Sequence, residues 1–209
     1  PSSSSKDTIE RLFIEGTDVF RLNFSHGSIE VHRKNLEIIR NLEKKYDYST
    51  CILADLQGPK LRIGIFKNIT DTSVNDWNNT LNTNLRGSFL MTKMVVDNLK
   101  SKKNGKIIFI SSVAGLQPYK NSTAYVASKY GLRGFASALR EELREFNIKV
   151  ITVFPGAVNT PIWDNKNMDE MRKYMMDSDD VSKTIIHAIN APNNCVTEEI
   201  TIRRVLGDF

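Results

Sequence analysis

Two residues that could take part in acid–base chemistry, Tyr125 and Lys129, stand four residues apart in a segment with helical spacing. Residues four apart lie on the same face of a helix. A nearby ammonium group stabilises a phenolate, which lowers the pKa of the phenol and makes it usable as a general acid or base. A solvated helix surface also produces this spacing by chance, so the surrounding residues decide how the pair is interpreted.

Further polar residues are expected to converge on that helix. Ser112 follows the apolar run Ile107–Ser111, which is typical of a strand covered on both faces. Ligands of open parallel sheets bind at the carboxyl ends of the strands, where the Ser112 hydroxyl would polarise a carbonyl group. Asn84 lies beside an apolar helix stripe, and its amide needs a backbone carbonyl or a proton-relay water as partner. The ordinary interpretation of Ser112 is a turn or helix cap.

These residues closely resemble the pattern of the short-chain dehydrogenase/reductase family over residues 64–209, about two-thirds of the chain. The order and spacing of four segments carry the resemblance: Asn82-Thr-Asn-Leu-Arg-Gly87, Ile110-Ser-Ser112, Tyr125-x-x-x-Lys129 and Pro155-Gly156 with Thr160. The resemblance implies that Tyr125 is the general acid/base and that Ser112 orients the carbonyl. It implies that Lys129 lowers the pKa of Tyr125 and holds the nicotinamide ribose, and that Asn84 supports a water relay.

The same resemblance implies a nicotinamide cofactor, NAD or NADP, and a small carbonyl compound or alcohol as substrate. The implied cofactor-binding residues are Lys129, Pro155, Gly156, Val158 and Thr160. Residues 161–176 would form a mobile lid over the substrate. Helices over residues 73–100 and 123–146 would form a homo-oligomer interface, or would pack only within one chain.

The first third of the sequence departs from that family. It has no T-G-x-x-x-G-x-G turn, the segment in which the backbone and a helix N-terminus receive the pyrophosphate. Residues 1–63 instead resemble the start of the pyruvate kinase barrel, through Pro1-Ser-Ser-Ser-Ser5, the run from Asp18 to Gly27 and the run from Ile52 to Arg62. The chain is therefore interpreted as a chimaera with a seam near residue 63.

The second resemblance implies a phosphate contact from Arg21 and potassium ligands from Asn23, Ser25 and Asp55. Amide, hydroxyl and carboxylate oxygens at strand ends suit a hard cation, although turn capping is their ordinary role. The catalytic lysine and the magnesium ligands of that family come from later barrel strands, which this chain lacks. This absence argues against phosphoryl transfer.

Strands and helices alternate along the chain, which predicts an α/β fold with a mainly parallel sheet of about five strands and flanking helices. The expected architecture is a truncated Rossmann-like fold whose first strands are replaced by a βαβ fragment of a TIM barrel. Residues 1–63 and 64–209 are expected to pack as one domain, with the strand over residues 51–56 beside the strand over residues 107–111. In such a sheet the cofactor crevice is lost, so weak dinucleotide binding is expected.

The composition excludes several other classes. The 209 residues are 40% apolar and 25% charged, as in folded globular proteins, and the net charge of +5 comes from interspersed basic and acidic residues rather than from a basic stripe. Nucleic-acid binding is therefore not expected. No apolar run approaches the roughly 20 residues of a membrane span, and there is no signal-peptide pattern. Two cysteines, Cys51 and Cys195, fit a reducing cytoplasmic setting better than a disulfide framework.

Three functions remain open at this level. The first is an NAD(P)-dependent oxidoreductase of the short-chain type, impaired by the missing glycine-rich turn. The second is a noncatalytic chimaeric or fragment α/β protein. The third, a pyruvate-kinase-like phosphotransferase, is the least supported.

Overall fold

The computed structural model describes residues 5–23, 27–55, 68–161 and 169–207. The chain divides into two compact units, Pro1–Gln57 and Gly58–Phe209, which are described separately below. The elements of the first unit are α1 (Lys6–Ile14), β1 (Val19–Asn23), α2 (Ile29–Tyr46) and β2 (Cys51–Asp55). Those of the second are α3 (Val74–Leu81), α4 (Gly87–Lys102), β3 (Gly105–Ile110), α5 (Thr123–Leu143), β4 (Ile148–Pro155), α6 (Asp169–Arg172), α7 (Ser178–Ile189) and β5 (Glu199–Ile202).

The first unit is a βαβ arrangement preceded by one helix. Ser28 begins α2, because its hydroxyl accepts a hydrogen bond from the Val31 N–H at 3.4 Å. The strands β1 and β2 lie parallel, with Val19 opposite Cys51. The buried core of this unit consists of Ile9, Phe13, Phe20, Ile39 and Leu42. Each of the two helices therefore buries one apolar face, as an amphipathic helix requires.

The second unit contains three parallel strands in the order β3-β4-β5. The central strand β4 is buried along most of its length, and Val150, Val153 and Phe154 are each 0% exposed. β-branched and aromatic residues favour a strand, and burial on both faces requires a continuous apolar run. The strand that the sequence predicts over residues 149–154 is thus confirmed as the centre of this sheet.

Helix α5 packs against β4 and carries the tyrosine–lysine pair. Leu132, Ala136, Leu139 and Leu143 recur every three or four residues and are buried. They form one cluster with Phe109 and with two residues at the start of β4. Burial of this stripe fixes the rotation of α5, and therefore determines which side chains its opposite edge presents.

Two arginines of α5 bind the chain at the start of β5. The Arg133 guanidinium donates hydrogen bonds to both carboxylate oxygens of Glu199, at 2.9 and 2.8 Å. Arg140, 6% exposed, donates to the backbone oxygens of Val150 at 3.0 Å and of Glu198 at 2.9 Å. These contacts fix the position of α5 along its axis relative to β4 and β5.

The structure confirms an α/β fold with parallel strands and flanking helices, and all five strands pair in parallel. Within the described ranges, however, the strands form a two-stranded and a three-stranded sheet rather than one sheet. The predicted hydrogen bonding of β2 beside β3 is absent from these pairs. β2 pairs instead with β1 of the first unit, in register from Val19 opposite Cys51 to Asn23 opposite Asp55.

No helix in the described part of the chain combines the length and the apolar character needed to cross a lipid bilayer.

Candidate active site

The predicted catalytic residues lie on three adjoining elements of the second unit. Tyr125 and Lys129 occupy the first two turns of α5, and Ser112 follows the carboxyl end of β3. Asn84 lies in a π-helical turn, Asn82–Arg86, between α3 and α4. Single π-turns inside helices are frequent at functional sites, because the extra residue redirects side chains.

Ser112 has two roles in the structure. Its hydroxyl accepts a hydrogen bond from the Ala114 N–H at 3.2 Å and so begins a short 3₁₀ turn, Val113–Gly115. Its side chain is also hydrogen-bonded to the Tyr125 phenol. The cap that is the ordinary interpretation of this serine and the contact expected at a reactive site are therefore both present.

Burial raises the pKa of Tyr125 above its ordinary value, and the hydrogen bond from Ser112 offsets part of that rise. The lowering of this pKa by the Lys129 charge, which the family resemblance implies, stays a prediction. The Lys129 Nζ lies 5.6 Å from the centre of the tyrosine ring, over its face. Burial disfavours the charged form of each of the two groups.

Lys129 is 9% exposed, and its Nζ donates a long hydrogen bond to the Ile110 carbonyl at 3.4 Å. Burial lowers the pKa of Lys129 to about 8, and no carboxylate among the described residues forms an ion pair with its ammonium group. Gly115 allows the 3₁₀ turn to approach this part of α5. A Cβ atom at position 115 would lie 3.0 Å from the Lys129 backbone oxygen and 3.1 Å from the Ser111 Oγ.

Asn84 is tied to the tyrosine helix through Ser128. The Asn84 amide donates to the Ser128 Oγ at 2.9 Å, and that hydroxyl donates to the Tyr125 backbone oxygen at 2.7 Å. The backbone oxygen of Asn84 accepts a hydrogen bond from the Ser88 hydroxyl at 2.9 Å. The described partner of the amide nitrogen is therefore a serine hydroxyl rather than a backbone carbonyl, and the relay water stays a prediction.

Sequence reasoning did not identify Ser128, although a signal for it was present. Ser128 is the third residue after Tyr125, which places it on the adjoining part of the same helix face. It is 0% exposed, and a fully buried hydroxyl in a helix requires a partner. Gly131 permits the close helix approach that brings this partner near, since a Cβ there would lie 2.8 Å from the Leu85 Cδ2.

The predicted nicotinamide-binding residues lie on the segment that follows β4. Pro155 ends that strand, and the Gly156 N–H donates to the Ile202 oxygen at 2.8 Å. Val158 forms an isolated parallel bridge with Met176. Thr160 is described as a half-buried bend residue. This segment and Ser112 follow the carboxyl ends of neighbouring strands, where open parallel sheets bind ligands. Part of the predicted lid, residues 162–168, lies outside the described residues.

The predicted potassium ligands are described only in part. Asn23 and Asp55 are register partners at the carboxyl ends of β1 and β2. Ser25 and the Asp55 side chain lie outside the described part of the structure. Among the side chains that are described, no cluster of histidine, cysteine, aspartate or glutamate has the arrangement of a metal site. The potassium site therefore stays a prediction.

The described residues suit one end of a nicotinamide dinucleotide. The Lys129 ammonium has protons to spare for ribose hydroxyls, and the Ser111 hydroxyl beside Ser112 is buried without a hydrogen-bond partner among the described atoms. The other end of the cofactor needs glycines in a strand–turn–helix for the pyrophosphate. None of the 11 glycines falls in the T-G-x-x-x-G-x-G pattern.

Comparison with known proteins identifies two families. The short chain dehydrogenase model matches residues 62–171, and the pyruvate kinase barrel-domain model matches residues 1–114. The dehydrogenase match begins at the seam predicted near residue 63, whereas the pyruvate kinase match extends past it to residue 114.

Among curated proteins, a sepiapterin reductase from Chlorobaculum tepidum is 33% identical over 169 residues, which span 81% of this chain and 67% of the relative. An uncharacterized oxidoreductase from Staphylococcus epidermidis is 28% identical over 66% of this chain, and the match spans 59% of its length. The chain thus spans about two-thirds or less of the length of these relatives.

Solved structures that resemble this chain include proteins with bound NADP. ElxO with NADP bound has a TM-score of 0.65 and 26% identity, and the match covers 79% of this chain and 70% of that protein. A serine dehydrogenase complexed with NADP⁺ has a TM-score of 0.66 and 19% identity, which shows a common fold over 96% of this chain and 90% of that one. The tyrosine, lysine and serine of the second unit, the family match and the 33% identical relative agree that the chain belongs to the short-chain dehydrogenase family.

Proposed function

We propose that the chain is a short-chain oxidoreductase which keeps the proton-donating half of the site and binds the NAD or NADP dinucleotide weakly. The observation that carries this proposal is the hydrogen bond between Ser112 and Tyr125, one helical turn from the buried Lys129. The substrate class is a small carbonyl compound or the corresponding alcohol.

The roles of the three side chains follow from their positions. The Ser112 hydroxyl orients the carbonyl oxygen of the substrate, and the Tyr125 phenol gives its proton to that oxygen. Burial raises the pKa of Tyr125, so the phenol is protonated at neutral pH and acts in the direction of carbonyl reduction. Lys129 would hold the ribose of the nicotinamide, whose chemistry when bound is hydride transfer.

The weak cofactor binding follows from the first unit. Because the sequence has no glycine-rich turn, the pyrophosphate loses the backbone N–H groups and the close approach that such a turn provides.

We assign residues 1–63 to a pyruvate-kinase-like segment and residues 64–209 to the dehydrogenase-like segment. The two family matches, one at each end of the chain, support a chimaera. Sequencing the coding region across residues 56–67, with the intact mass of the product, tests whether the join is real.

We assign self-association to the surfaces of α4 and α5, within the helical segments 73–100 and 123–146. Phe89 and Tyr130 are 45% and 41% exposed on these helices, and a Cβ at Gly134 would meet no atom within 4 Å. Exposed aromatic residues around an open glycine position suit a second helix. Sedimentation of the wild-type chain and of Phe89→Glu tests this assignment, since a charge in the interface would favour monomers.

A cytosolic location fits the cysteine usage. Cys51 and Cys195 are both free and exposed in the structure. Exposed thiols persist in a reducing compartment and tend to oxidise outside it. Fractionation of the source cells tests the location.

The test of the catalytic assignment uses Tyr125→Phe. The chain is supplied with NADPH and a small dicarbonyl compound or sepiapterin, the substrate that the name of the Chlorobaculum relative points to. Any carbonyl reduction by the wild-type chain should fall to background in Tyr125→Phe, because phenylalanine keeps the ring and removes the proton donor. Unchanged turnover would show that another group is the acid.

A noncatalytic chimaera is the second candidate, and the missing glycine-rich turn is the observation that favours it. The two candidates differ in one measurable respect. The oxidoreductase binds reduced cofactor with measurable, if weak, affinity, and reduces carbonyl compounds when the cofactor is saturating. The noncatalytic chimaera shows neither property at any accessible cofactor concentration.

A further inference from the structure

We propose that Ser128 is a positioning residue of the second unit: its hydroxyl sets the orientation of the Asn84 side-chain amide and holds the π-turn against the turn of α5 that carries Tyr125. The observation behind it is a chain of two hydrogen bonds that runs through this one hydroxyl. The inference rests on the reductase proposed above, because it adds a residue to that reaction. The Ser128 hydroxyl contacts protein groups, so it acts on the reaction only through Asn84 and Tyr125.

Ser128 is not the residue that α5 needs for its own stability. Serine has a lower helix propensity than alanine, and the bond from the Ser128 hydroxyl to the Tyr125 backbone oxygen, 2.7 Å long, is of a type that tends to bend helices. The side chain is 0% exposed, so its hydroxyl must also be removed from water. Alanine at this position would suit the helix better, and the value of the hydroxyl therefore lies in the groups that it joins.

The number of protons on a hydroxyl determines which way the Asn84 amide faces. A serine hydroxyl carries one proton and two acceptor sites. The Ser128 proton goes to the Tyr125 backbone oxygen, which is only an acceptor, so towards Asn84 the Ser128 Oγ can only accept. The Asn84 amide must therefore present its Nδ2 atom to α5, at 2.9 Å, and its Oδ1 atom is directed elsewhere. With alanine at position 128 this preference for one amide orientation is lost.

A second contact holds the same two segments together. Leu85, next to Asn84 in the π-turn, packs over Gly131, where a Cβ atom would lie 2.8 Å from the Leu85 Cδ2. The π-turn therefore lies directly against α5, with an apolar contact about one helical turn from Ser128. Apolar contacts are not directional, so they bring the segments close but leave the orientation of Asn84 to the hydrogen bond.

Tyr125 is thereby held at two points. Its backbone oxygen accepts the hydrogen bond from Ser128, and its phenol is hydrogen-bonded to Ser112. The Ser112 bond lowers the pKa of the phenol against the larger effect of burial. The Lys129 Nζ lies over the same ring, 5.6 Å from its centre, and is present in every variant below. Removal of the Ser128 hydroxyl lets the turn shift, which weakens the Ser112 bond and raises the pKa of Tyr125.

Spectrophotometric titration tests this link without cofactor or substrate, with the matching Tyr125→Phe chain subtracted to isolate the one phenol. We expect Ser128→Ala to raise the pKa of Tyr125, by less than Ser112→Ala does, and to add nothing in a Ser112→Ala background. Thr92→Val is the matched control, since Thr92 is also buried and its hydroxyl also donates to a backbone oxygen, that of Ser88, at 2.9 Å. This control should leave the pKa of Tyr125 unchanged.

Steady-state kinetics with saturating NADPH and with sepiapterin test the same role in the reaction. Ser128→Ala should lower kcat for carbonyl reduction by about tenfold and change KM by less than about twofold, because the reacting groups are misplaced while the substrate contacts remain. Asn84→Ala should give the same loss, and the double variant should be no slower than Asn84→Ala alone, as expected for two residues that act through one bond. Thr92→Val should leave both constants unchanged.

The proposal is overturned if Ser128→Ala does not raise the pKa of Tyr125, if Thr92→Val raises it equally, or if the losses in kcat of Asn84→Ala and Ser128→Ala multiply in the double variant. Should Ser128→Ala fail to fold, Asn84→Ala breaks the same bond with the Ser128 hydroxyl retained, and a constant pKa for Tyr125 there overturns the proposal as well. A chain that reduces no carbonyl compound contradicts the proposed function alone, since the titration needs neither cofactor nor substrate. A working reductase in which Ser128→Ala keeps the wild-type kcat and pKa contradicts the positioning role alone.

Discussion

Burial, rather than neighbouring charge, controls the ionisation of the tyrosine–lysine pair. It raises the pKa of Tyr125 and lowers that of Lys129 to about 8. Both changes favour the uncharged form of the group, as expected when water is removed and no counter-ion is supplied. The sequence correctly suggests that the two side chains share a helix face, but spacing alone does not reveal how deeply that face is buried.

The hydrogen bond from Ser112 gives a direct prediction about Tyr125. Since this bond lowers the pKa of the phenol against the larger effect of burial, Ser112→Ala should raise the pKa further. Spectrophotometric titration of tyrosine ionisation measures it, with Tyr125→Phe subtracted to isolate the one residue. A pKa for Tyr125 that falls or stays constant in Ser112→Ala would contradict the assigned contact.

The lowered pKa of Lys129 predicts how stability depends on pH. The ordinary value is 10.5 and the folded value is about 8, so between these pH values the unfolded chain binds more protons and folding becomes more favourable as pH rises. Below pH 8 both states are protonated and the cost of the buried charge is fully present. Lys129→Met should therefore stabilise the fold by about 3 kcal/mol at pH 7 and by about 1.5 kcal/mol at pH 9.5.

Urea unfolding of the wild-type chain and Lys129→Met at these two pH values measures this difference. The comparison between the two proteins cancels the titration of Tyr125, which acts at higher pH. A stabilisation that grows with pH, or a loss of stability at pH 7, would contradict the burial of a charged lysine without a partner.

The connection from Asn84 to Tyr125 shows what the sequence leaves open at the residue scale. An amide beside an apolar stripe correctly predicts a buried polar contact. Its partner, Ser128, is separated from it by 44 residues in the chain, and becomes its neighbour only because α5 packs closely on the π-turn. Contacts of this kind depend on the distance between packed helices, which is short here because Gly131 has no side chain.

At the scale of elements, arginine side chains anchor the carboxyl-terminal half of α5 and the 3₁₀ turn that follows it. Arg140 is buried and donates to two backbone carbonyls, while Arg144 is half exposed and pairs with Glu141 and Glu198. These contacts fix the register of α5 relative to β4 and to the chain before β5.

The two arginines form a matched pair for mutation. Arg140→Met should destabilise the fold by about 2–4 kcal/mol, because two buried carbonyls lose a charged donor. Arg144→Met should cost less than about 1 kcal/mol, since exposed ion pairs contribute little. Urea denaturation at neutral pH gives both values. Equal losses for the two variants would show that the Arg140 contacts are not what holds α5 to β4.

Two glycines give a second matched pair. Gly115→Ala places a Cβ 3.0 Å from the Lys129 backbone oxygen, so we expect a loss of about 1–3 kcal/mol of unfolding free energy. Gly134→Ala, with open space around the new atom, should stabilise α5 by about 0.5–1 kcal/mol in the monomer. Thermal unfolding of the two variants checks both signs, and destabilisation by Gly134→Ala would indicate a close contact there, as in an oligomer.

Periodicity predicts most elements of the chain but not every boundary. The helix predicted from residue 73 to 100 is present as α3, the π-turn and α4, and α5 with its 3₁₀ extension fills the helix predicted over 123–146. The pattern cannot reveal the π-turn, because one extra residue shifts the apolar stripe only slightly. The helix expected over residues 167–176 is described only as the short α6.

At the scale of the whole molecule, the alternation of strands and helices predicts the fold class, and the structure confirms it with parallel strands. The alternation does not predict that the described strands form a two-stranded and a three-stranded sheet. The local sequence pattern predicts that β2 is a strand. Which other strand pairs with β2 depends on the apolar residues of both strands and on which other strands the chain contains. A sequence that matches two families offers two sets of partners, so sheet membership is the feature least determined by local pattern.

The affinity for the reduced cofactor tests most directly the proposal that the chain lacks the glycine-rich turn for the pyrophosphate. In a fluorescence titration of the intact chain with NADPH, we expect a Kd weaker than about 100 μM, since the pyrophosphate lacks its glycine-rich turn. The Lys129→Met variant should bind more weakly still, because the ribose then loses its ammonium partner. A Kd in the low micromolar range for the wild-type chain would contradict the proposal and show that other residues form a complete nucleotide site.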